Sequence, residues 1–456
     1  MNLKISWRSG LALLVLFVSV ALTACGYKST TDYSRASAAV ALARYNANGT
    51  PDTTNLVGGT GLVTTDVNTS QDDIAFAVVR QPADGKLIVV GTSFTTPASI
   101  VVIRYNVDGT RDSTFGTGGI TVTSLPSADA SAFAATLQAD GKLLVAGRNC
   151  PLSGSSSFLL LRYNTAGAPG IPGTLDAGFG SGGIVTTGIP LGVSNVANAV
   201  AVSGTNILVA GHSKIGGRFV IALAQYTSSG ALDSTFGSGG IVTTPVGALD
   251  ADAAALVVQG DGKIVAAGLA GNAMSQIWDV ALLRYNTDGT LDLPFGGTNT
   301  GMVTTDIGSS SNYANAVALQ ADGKIVVVGN AFVNSFAGTS DIAVLRYNTD
   351  GSLDTAGFGS PNGYVTTNVG AFDNGFEVAV QPDNKIVVAG NANAGTGDRL
   401  ALLRYTANGS LDTDPNTGFG GGTGIVTRAA SGPSNIAGAF GVTLQPSGEI
   451  IVVGYD

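Results

Sequence analysis

A set of acidic and amide residues recurs at one kind of position in this chain, at or just before an apolar run. They are Asp72, Asp73, Asp129, Asn195, Asn198, Asp250, Asp252, Asn312, Asn315, Asp373, Asn374, Glu377 and Asn435. Carboxylates that meet at one place raise one another's pKa or recruit a cation, and calcium is the natural divalent choice for oxygen ligands. On that reading Asp72, Asp73, Asp129, Asp250, Asp252, Asp373 and Glu377 make a ring that binds a cation or ligand. The enzymatic form of this expectation is a metal-assisted hydrolase or lyase acting on polysaccharide. The plainer reading, and the preferred one, is that Asx residues end loops by bonding to their own backbone.

Other chemistry finds little support, and no catalytic residue is assigned. The single histidine, His212, follows a strand-like run, and its counterparts elsewhere are Thr92, Arg148, Leu269, Asn330, Asn391 and Tyr455. A position so variable is expected at a loop edge with no special role. No histidine cluster or cysteine pair offers a zinc or iron site. The run "GFGSGG" (178–183) lacks the lysine of a phosphate-binding loop and opens no helix. "NTDGTLD" (286–292) is faintly similar to a calcium loop, but the first acidic ligand would fall on Arg284, so a turn is expected.

The elements that must position these residues form a repeat. "LLRYNTDGTLDLPFGG" (282–297) returns as "VIRYNVDGTRDSTFGT" (102–117) and "VLRYNTDGSLDTAGFG" (344–359). Its tyrosines, Tyr45, Tyr105, Tyr163, Tyr226, Tyr285, Tyr347 and Tyr405, are spaced by 60, 58, 63, 59, 62 and 58 residues. A second landmark, "LQADGKIVVVG" (319–329), recurs with variation in every unit, most degenerately as "VSGTNILVAG" (202–211). Each unit holds four strand-like runs, the first two joined by an Asp-Gly turn. The runs of Val, Ile, Leu and Ala show little alternation, so both faces of such strands are covered. Four short, doubly buried strands per unit at this period predict an all-β, seven-bladed β-propeller over 38–456.

The chain opens with a third and a fourth strand, "AVALARYN" (39–46) and "GLVTT" (61–65). It ends with a first and a second, "GVTLQ" (441–445) and "EIIVVG" (449–454). These half-blades are complementary, so pairing them would close the ring and leave no open edge. Phe115, Phe179, Phe236, Phe295, Phe358 and Phe419 are expected to wedge between neighbouring blades, with Leu56 at the matching place in the first unit. Arg44, Arg104, Arg162, Arg284, Arg346 and Arg404, replaced once by Gln225, are expected to pair with aspartates such as Asp112 or Asp292. Units of the form LRYNxDGxLDxxFGxGGxVTT … ALQxDGKIVVVG resemble the bacterial delta-60 repeat, a β-propeller family. The resemblance implies the fold and supplies no catalytic residues.

Residues 1–24 read as a targeting segment. Lys4 and Arg8 precede the apolar run 11–24, which is too short to span a bilayer. "LTAC" (22–25) resembles a bacterial lipoprotein signal, which implies lipidation of Cys25, with 25–37 as a flexible tether. Gly26 after it favours the outer membrane or cell surface. Acyl chains then hold the protein to the membrane, at about 0.8 kcal/mol per buried methylene. With Cys25 acylated, Cys150 is expected to have no disulfide partner. Removing 1–24 leaves 20 basic and 31 acidic residues, which argues against nucleic acid and against adhesion to anionic lipid. The loops "TSFTTPAS" (92–99), "RNCPLSGSSS" (148–157), "LAGNAMSQIW" (269–278) and "NAFVNSFAGTS" (330–340) vary and leave on one face, where Trp278 offers a contact. The functional expectation is a monomeric, lipid-anchored binding or scaffold module for a protein or glycan of the cell envelope, more readily than an enzyme.

Overall fold

In a computed structural model of the chain, the residues described are 37–456, apart from 166–169, 248, 273–276, 309, 335–338, 394–396 and 431–436. Their strands assemble as seven four-stranded antiparallel sheets, two of which touch through a single parallel bridge between Ser340 and Phe372. Sheet 1 runs through Asp73–Arg80, Leu87–Ser93, Ser99–Tyr105 and Ile120–Thr123. Sheets 2 to 6 repeat that order and open with Ala128–Leu137, Asn195–Ser203, Ala251–Val258, Asn312–Leu319 and Phe372–Val380. Sheet 7 takes Gly438–Leu444 and Ile450–Tyr455 from one end of the chain and Val40–Tyr45 and Leu62–Thr65 from the other. Val40–Tyr45 lies antiparallel to Ile450–Tyr455, with Val40 opposite Tyr455 and Tyr45 opposite Ile450.

The second and third strands are apolar on both faces, as in "LIVVGTS" and "SIVVIRY", because each sheet packs between two others. An apolar cluster fills every junction between successive sheets. At the terminal sheet, Leu42 and Val453 pack on Val89 and Val101 of sheet 1. Ala43 and Val452 pack on Val387 and Leu402 of sheet 6.

The repeated polar residues cluster within each sheet, and their arginine reaches into the next. In sheet 5, Asp354 Oδ2 accepts from Arg346 Nε at 2.9 Å and from Lys324 Nζ at 2.7 Å. The same guanidinium lies 4.9 Å from the centre of the Phe358 ring and donates at 2.5 Å to the carbonyl of Ala407, in the turn of sheet 6. Phe358 packs beneath that turn at Gly409, where a Cβ would come within 3.0 Å of the ring and φ is +91°. Only glycine suits such a position. The expected arginine–aspartate pairs form at all six arginines. Gln225 substitutes by donating to Asp233 at 2.9 Å. Leu56 does take the phenylalanine's place, beneath Gly109 of sheet 1.

One fastening is not foreshadowed by the sequence pattern. The buried tyrosine that ends the third strand bonds the last threonine of the fourth strand in the preceding sheet, as Tyr347 Oη does with Thr305 Oγ1 at 2.7 Å. The same bond recurs at Tyr105, Tyr163, Tyr226, Tyr285 and Tyr405. Tyr45 meets Arg428 instead, because the sixth unit reads "IVTR".

Each first strand skips one residue against the second strand, a β-bulge. The bulge drives a first-strand carbonyl against the glycine that ends "IVVVG". At Gly91, Gly147, Gly211, Gly268, Gly329, Gly390 and Gly454 a Cβ would lie 1.7 to 2.1 Å from that oxygen. No other residue fits, which explains the glycine in every unit. A bulge also re-aims the side chain it leaves unpaired. Those residues are Phe76, Phe133, Asn198, Ala254, Asn315, Phe376 and Phe440.

Candidate functional site

The acidic residues singled out in the sequence are held one by one, by different sheets. Asp72 Oδ1 accepts the Ala38 amide at 2.9 Å, Asp129 Oδ1 that of Ala98 at 2.8 Å, and Asp250 Oδ1 that of Phe219 at 2.7 Å. In each case the amide opens the third strand of the preceding sheet. Asp73 Oδ2 accepts the amides of Val67 and Asn68 at 2.7 and 2.9 Å. Asp373 Oδ2 accepts those of Val369 and Gly370 at 2.5 and 2.9 Å. Burial pushes both of these carboxyls up, despite the amides that favour their charged forms.

Asp252 is buried and bonds His212 Nδ1 at 2.9 Å and Asn198 Nδ2 at 3.1 Å. His212 therefore does not sit at a loop edge. It lies inside the strand Asn206–Ile215, fully buried, edge-on to Phe219, and ties sheet 3 to sheet 4. Asn315 makes a similar tie, donating to the Gly375 carbonyl at 2.8 Å. Asn312 donates to Ser310 O, Asn195 to Ser156 O, and Asn374 to Asn391 Oδ1. Asn435 lies outside the described residues. Among the described residues, no three His, Cys, Asp or Glu side chains are grouped to share a metal ion. The ring suggested by the sequence is not brought together, because each acidic member fastens a neighbouring loop or sheet instead; only Glu377 stands apart.

Glu377 is not at the mouth formed by residues entering the first strands, where its place in the sequence puts it. It lies deeper, one residue past the bulge of sheet 6, opposite Ala389. It is partly buried, its Oε1 accepts the Val378 amide at 3.0 Å, and burial pushes its carboxyl up to about 7. The bulged phenylalanines beside it form a chain of contacts across four sheets. Ring centroids are 4.8 Å apart for Phe376–Phe440, 5.3 Å for Phe440–Phe76 and 5.7 Å for Phe76–Phe133. The flanking small residues in "AFA" and "ANA" are the available signal, legible only once all seven first strands are aligned on their bulges.

The irregular loops lie on the opposite face from the "RYN…FG" turns. They are shorter than the sequence suggests, because the second and third strands extend into them. Trp278 is not a loop residue but belongs to the strand Ile277–Tyr285, with its amide donating to Ser311 Oγ at 3.2 Å. Apolar side chains project from this face beside exposed polar ones such as Ser153 and Ser155. Leu152 is 73% exposed, Leu191 88% and Val193 60%. A cavity of about 440 Å³ opens there, between Leu125–Ala128 and Asn149–Ser153, with Ile184 and Thr186 as its remaining wall. Beside it, Cys150 is buried and disulfide-bonded, which corrects the expectation that it has no partner. The chain's other cysteine, Cys25, lies outside the described residues.

Short strands in four-stranded sheets, repeated seven times and packed face to face, define a β-propeller repeat protein. The comparisons place it within that class. The family described as "Domain of unknown function (DUF5122) beta-propeller" matches residues 29–54, 83–115, 138–169, 206–236, 259–295, 320–356 and 381–414, and the chain belongs to this family. No curated protein matches by sequence. Among solved structures, Sqt1 from Chaetomium thermophilum is similar with a TM-score of 0.41 and 11% identity, covering 84% of this chain and 96% of that one. A PL25 ulvan lyase scores 0.43 at 14% identity, covering 78% and 83%. The GH93 alpha-L-arabinofuranosidase of Fusarium graminearum scores 0.46 at 10% identity, covering 73% and 93%.

Proposed function

We propose that the chain is an exported, envelope-anchored propeller whose seven blades close into a ring around a central channel. It acts as a binding or scaffold module through the face that carries the irregular loops. The observation that carries this reading is the exposure of apolar side chains at the cavity and the neighbouring loop of that face. On the opposite face the repeated Arg, Asp, Lys, Phe and Tyr side chains are consumed in bonds within and between blades, and Ile171 and Leu293 are exposed there too. On the loop face Leu152 stands exposed at the wall of a cavity, and Leu191 and Val193 stand exposed on the loop between sheets 2 and 3. Exposed apolar side chains grouped on a rigid scaffold mark interaction surfaces. The ligand class is a protein or glycan of the envelope.

Export is supported by the first 24 residues, whereas a disulfide at Cys150 competes with the anchor, because Cys25 is the chain's other cysteine. One sulfur cannot hold both a lipid thioether and a disulfide. The intact mass of the membrane-released chain, with and without reductant, therefore separates the two uses of its cysteines.

The binding test uses the purified protein and a Leu152→Asp/Leu191→Asp variant against arrayed envelope glycans and fractionated envelope proteins. Saturable binding by the parent that the variant loses, at unchanged thermal stability, is the expected result. Absence of saturable binding, or binding indifferent to both substitutions, would remove the loop face as the site.

A further inference from the structure

The first strands carry a second feature, unrelated to the loop face. We propose that the waist of the channel is a binding site for a slim organic ammonium ion, with Glu377 as its counter-charge and Phe376, Phe440, Phe76 and Phe133 as its aromatic wall. The site rests on the closed-ring reading, because only a closed ring brings the bulges of sheets 6, 7, 1 and 2 to one axis.

Four observations point there. First, Glu377 breaks the repeat. The equivalent positions after the other bulges are Ala77, Ala134, Ala199, Ala255, Ala316 and Gly441. The fold needs no carboxylate there, and a repeat array that departs from its own rule does so most often at functional positions. Second, the charge is left without a counter-ion. Among the described residues Glu377 bonds only the Val378 amide, and none of the ion pairs includes it. Third, the aromatic arc begins at its immediate neighbour, Phe376, and runs unbroken through Phe133, with successive centroids 4.8 to 5.7 Å apart. All four rings are only partly buried. Cations are drawn to ring faces within about 6 Å of the centroid. Fourth, the remaining arc is short. Ala254 has no reach, and the amides of Asn198 and Asn315 are already committed to Ala253 O and Gly375 O of the next blade.

The donor set decides which cation fits. One carboxylate, next in sequence to the first of these phenyl rings, is a poor match for calcium, which takes roughly six to eight oxygens. It suits an ammonium group whose alkyl part lies on the rings and whose N–H bonds meet the carboxylate. The carboxyl's elevated pKa, caused by burial, is what a site would show before its cation arrives.

The test titrates the purified chain at pH 8 with n-butylammonium and with its neutral analogue, 1-butanol, by calorimetry. The expected result is saturable butylammonium binding at least about tenfold tighter than butanol, with that preference abolished in Glu377→Gln. Phe440→Leu should weaken butylammonium while leaving Glu377 in place. Equal affinities for the two probes, absence of saturable binding, or full retention of the preference in Glu377→Gln would overturn the proposal. Amide exchange of Val40–Tyr45 in the same protein separates the two levels of failure. Free exchange there defeats the ring and the site together, whereas protection without butylammonium binding defeats the site alone.

Discussion

Replacing Glu377 with Gln should stabilise the protein, and only at neutral and alkaline pH. Burial lifts this carboxyl from 4.5 to about 7. Its folded pKa therefore exceeds its unfolded one, so the folded state prefers the protonated form. The penalty for carrying the charge is nearly absent below the unfolded value. It grows as pH rises from 4.5 and is complete above the folded value. A tenfold difference in proton affinity between the two states is worth about 1.4 kcal/mol, so at pH 8 the penalty approaches about 3 kcal/mol. Water that reaches this partly buried group reduces this figure rather than raising it. Glutamine has nearly the same shape and no charge at any pH. In a chain of this size about 3 kcal/mol corresponds to a rise of about 3 °C in melting temperature. The assay is differential scanning calorimetry of both proteins at pH 4 and pH 8. The other acidic groups titrate alike in both and cancel in the difference. A gain of about 2–3 °C at pH 8 that vanishes at pH 4 is expected. A difference that is the same at both values, or a loss at pH 8, would show that the carboxylate is not held in apolar surroundings.

Three further outcomes follow from the repeated polar contacts, and a fourth from the N-terminal segment. Asp354→Ala strands Arg346 and Lys324 in a largely buried site and should cost about 3–5 kcal/mol in denaturant unfolding. The aspartates of these clusters, Asp112, Asp176, Asp292 and Asp354, have carboxyls held below the ordinary 3.8: burial opposes this, but lysine, arginine and backbone donors outweigh it. The stability they contribute is present above pH 4 and is lost as pH falls through their folded values, so acid unfolding followed by circular dichroism should set in well below pH 4. Arg428→Thr restores the missing threonine partner of Tyr45 and should stabilise by about 1 kcal/mol in the same denaturant assay. Cys25→Ala should move the protein from the membrane to the soluble fraction on cell fractionation, and membrane retention would argue against the lipid anchor.

Much of the fold was legible because it is periodic. Seven tyrosines at near-constant spacing and the half-units at each end give sheet number, strand order and the pairing of the first and last strands. The Arg346–Asp354 contact was legible because both partners lie in one unit, eight residues apart. What the sequence hid lies between units. Asp72 binds the amide of Ala38, 34 residues away, and His212 binds Asp252, 40 residues away. Composition shows carboxylates near loop ends but does not show which backbone donor each one meets. The bulge was hidden for a related reason. One extra residue in a strand shifts pairing without changing an apolar pattern, so Glu377 reads as a residue of the mouth while it lies beyond the bulge. The loops look longer in the sequence than they are because polar residues such as Ser93, Asn149 and Asn272 continue the hairpin ladders.

A closed ring requires Val40–Tyr45 to lie inside a sheet, between Leu62–Thr65 and Ile450–Tyr455. Amide hydrogen exchange reads this residue by residue. Slow exchange along Val40–Tyr45 and Ile450–Tyr455, at rates like those of Val89 or Val327 in complete interior sheets, is the predicted result. Rapid exchange at the amides of Val40–Tyr45 that face Ile450–Tyr455, as in a fraying end, would contradict it.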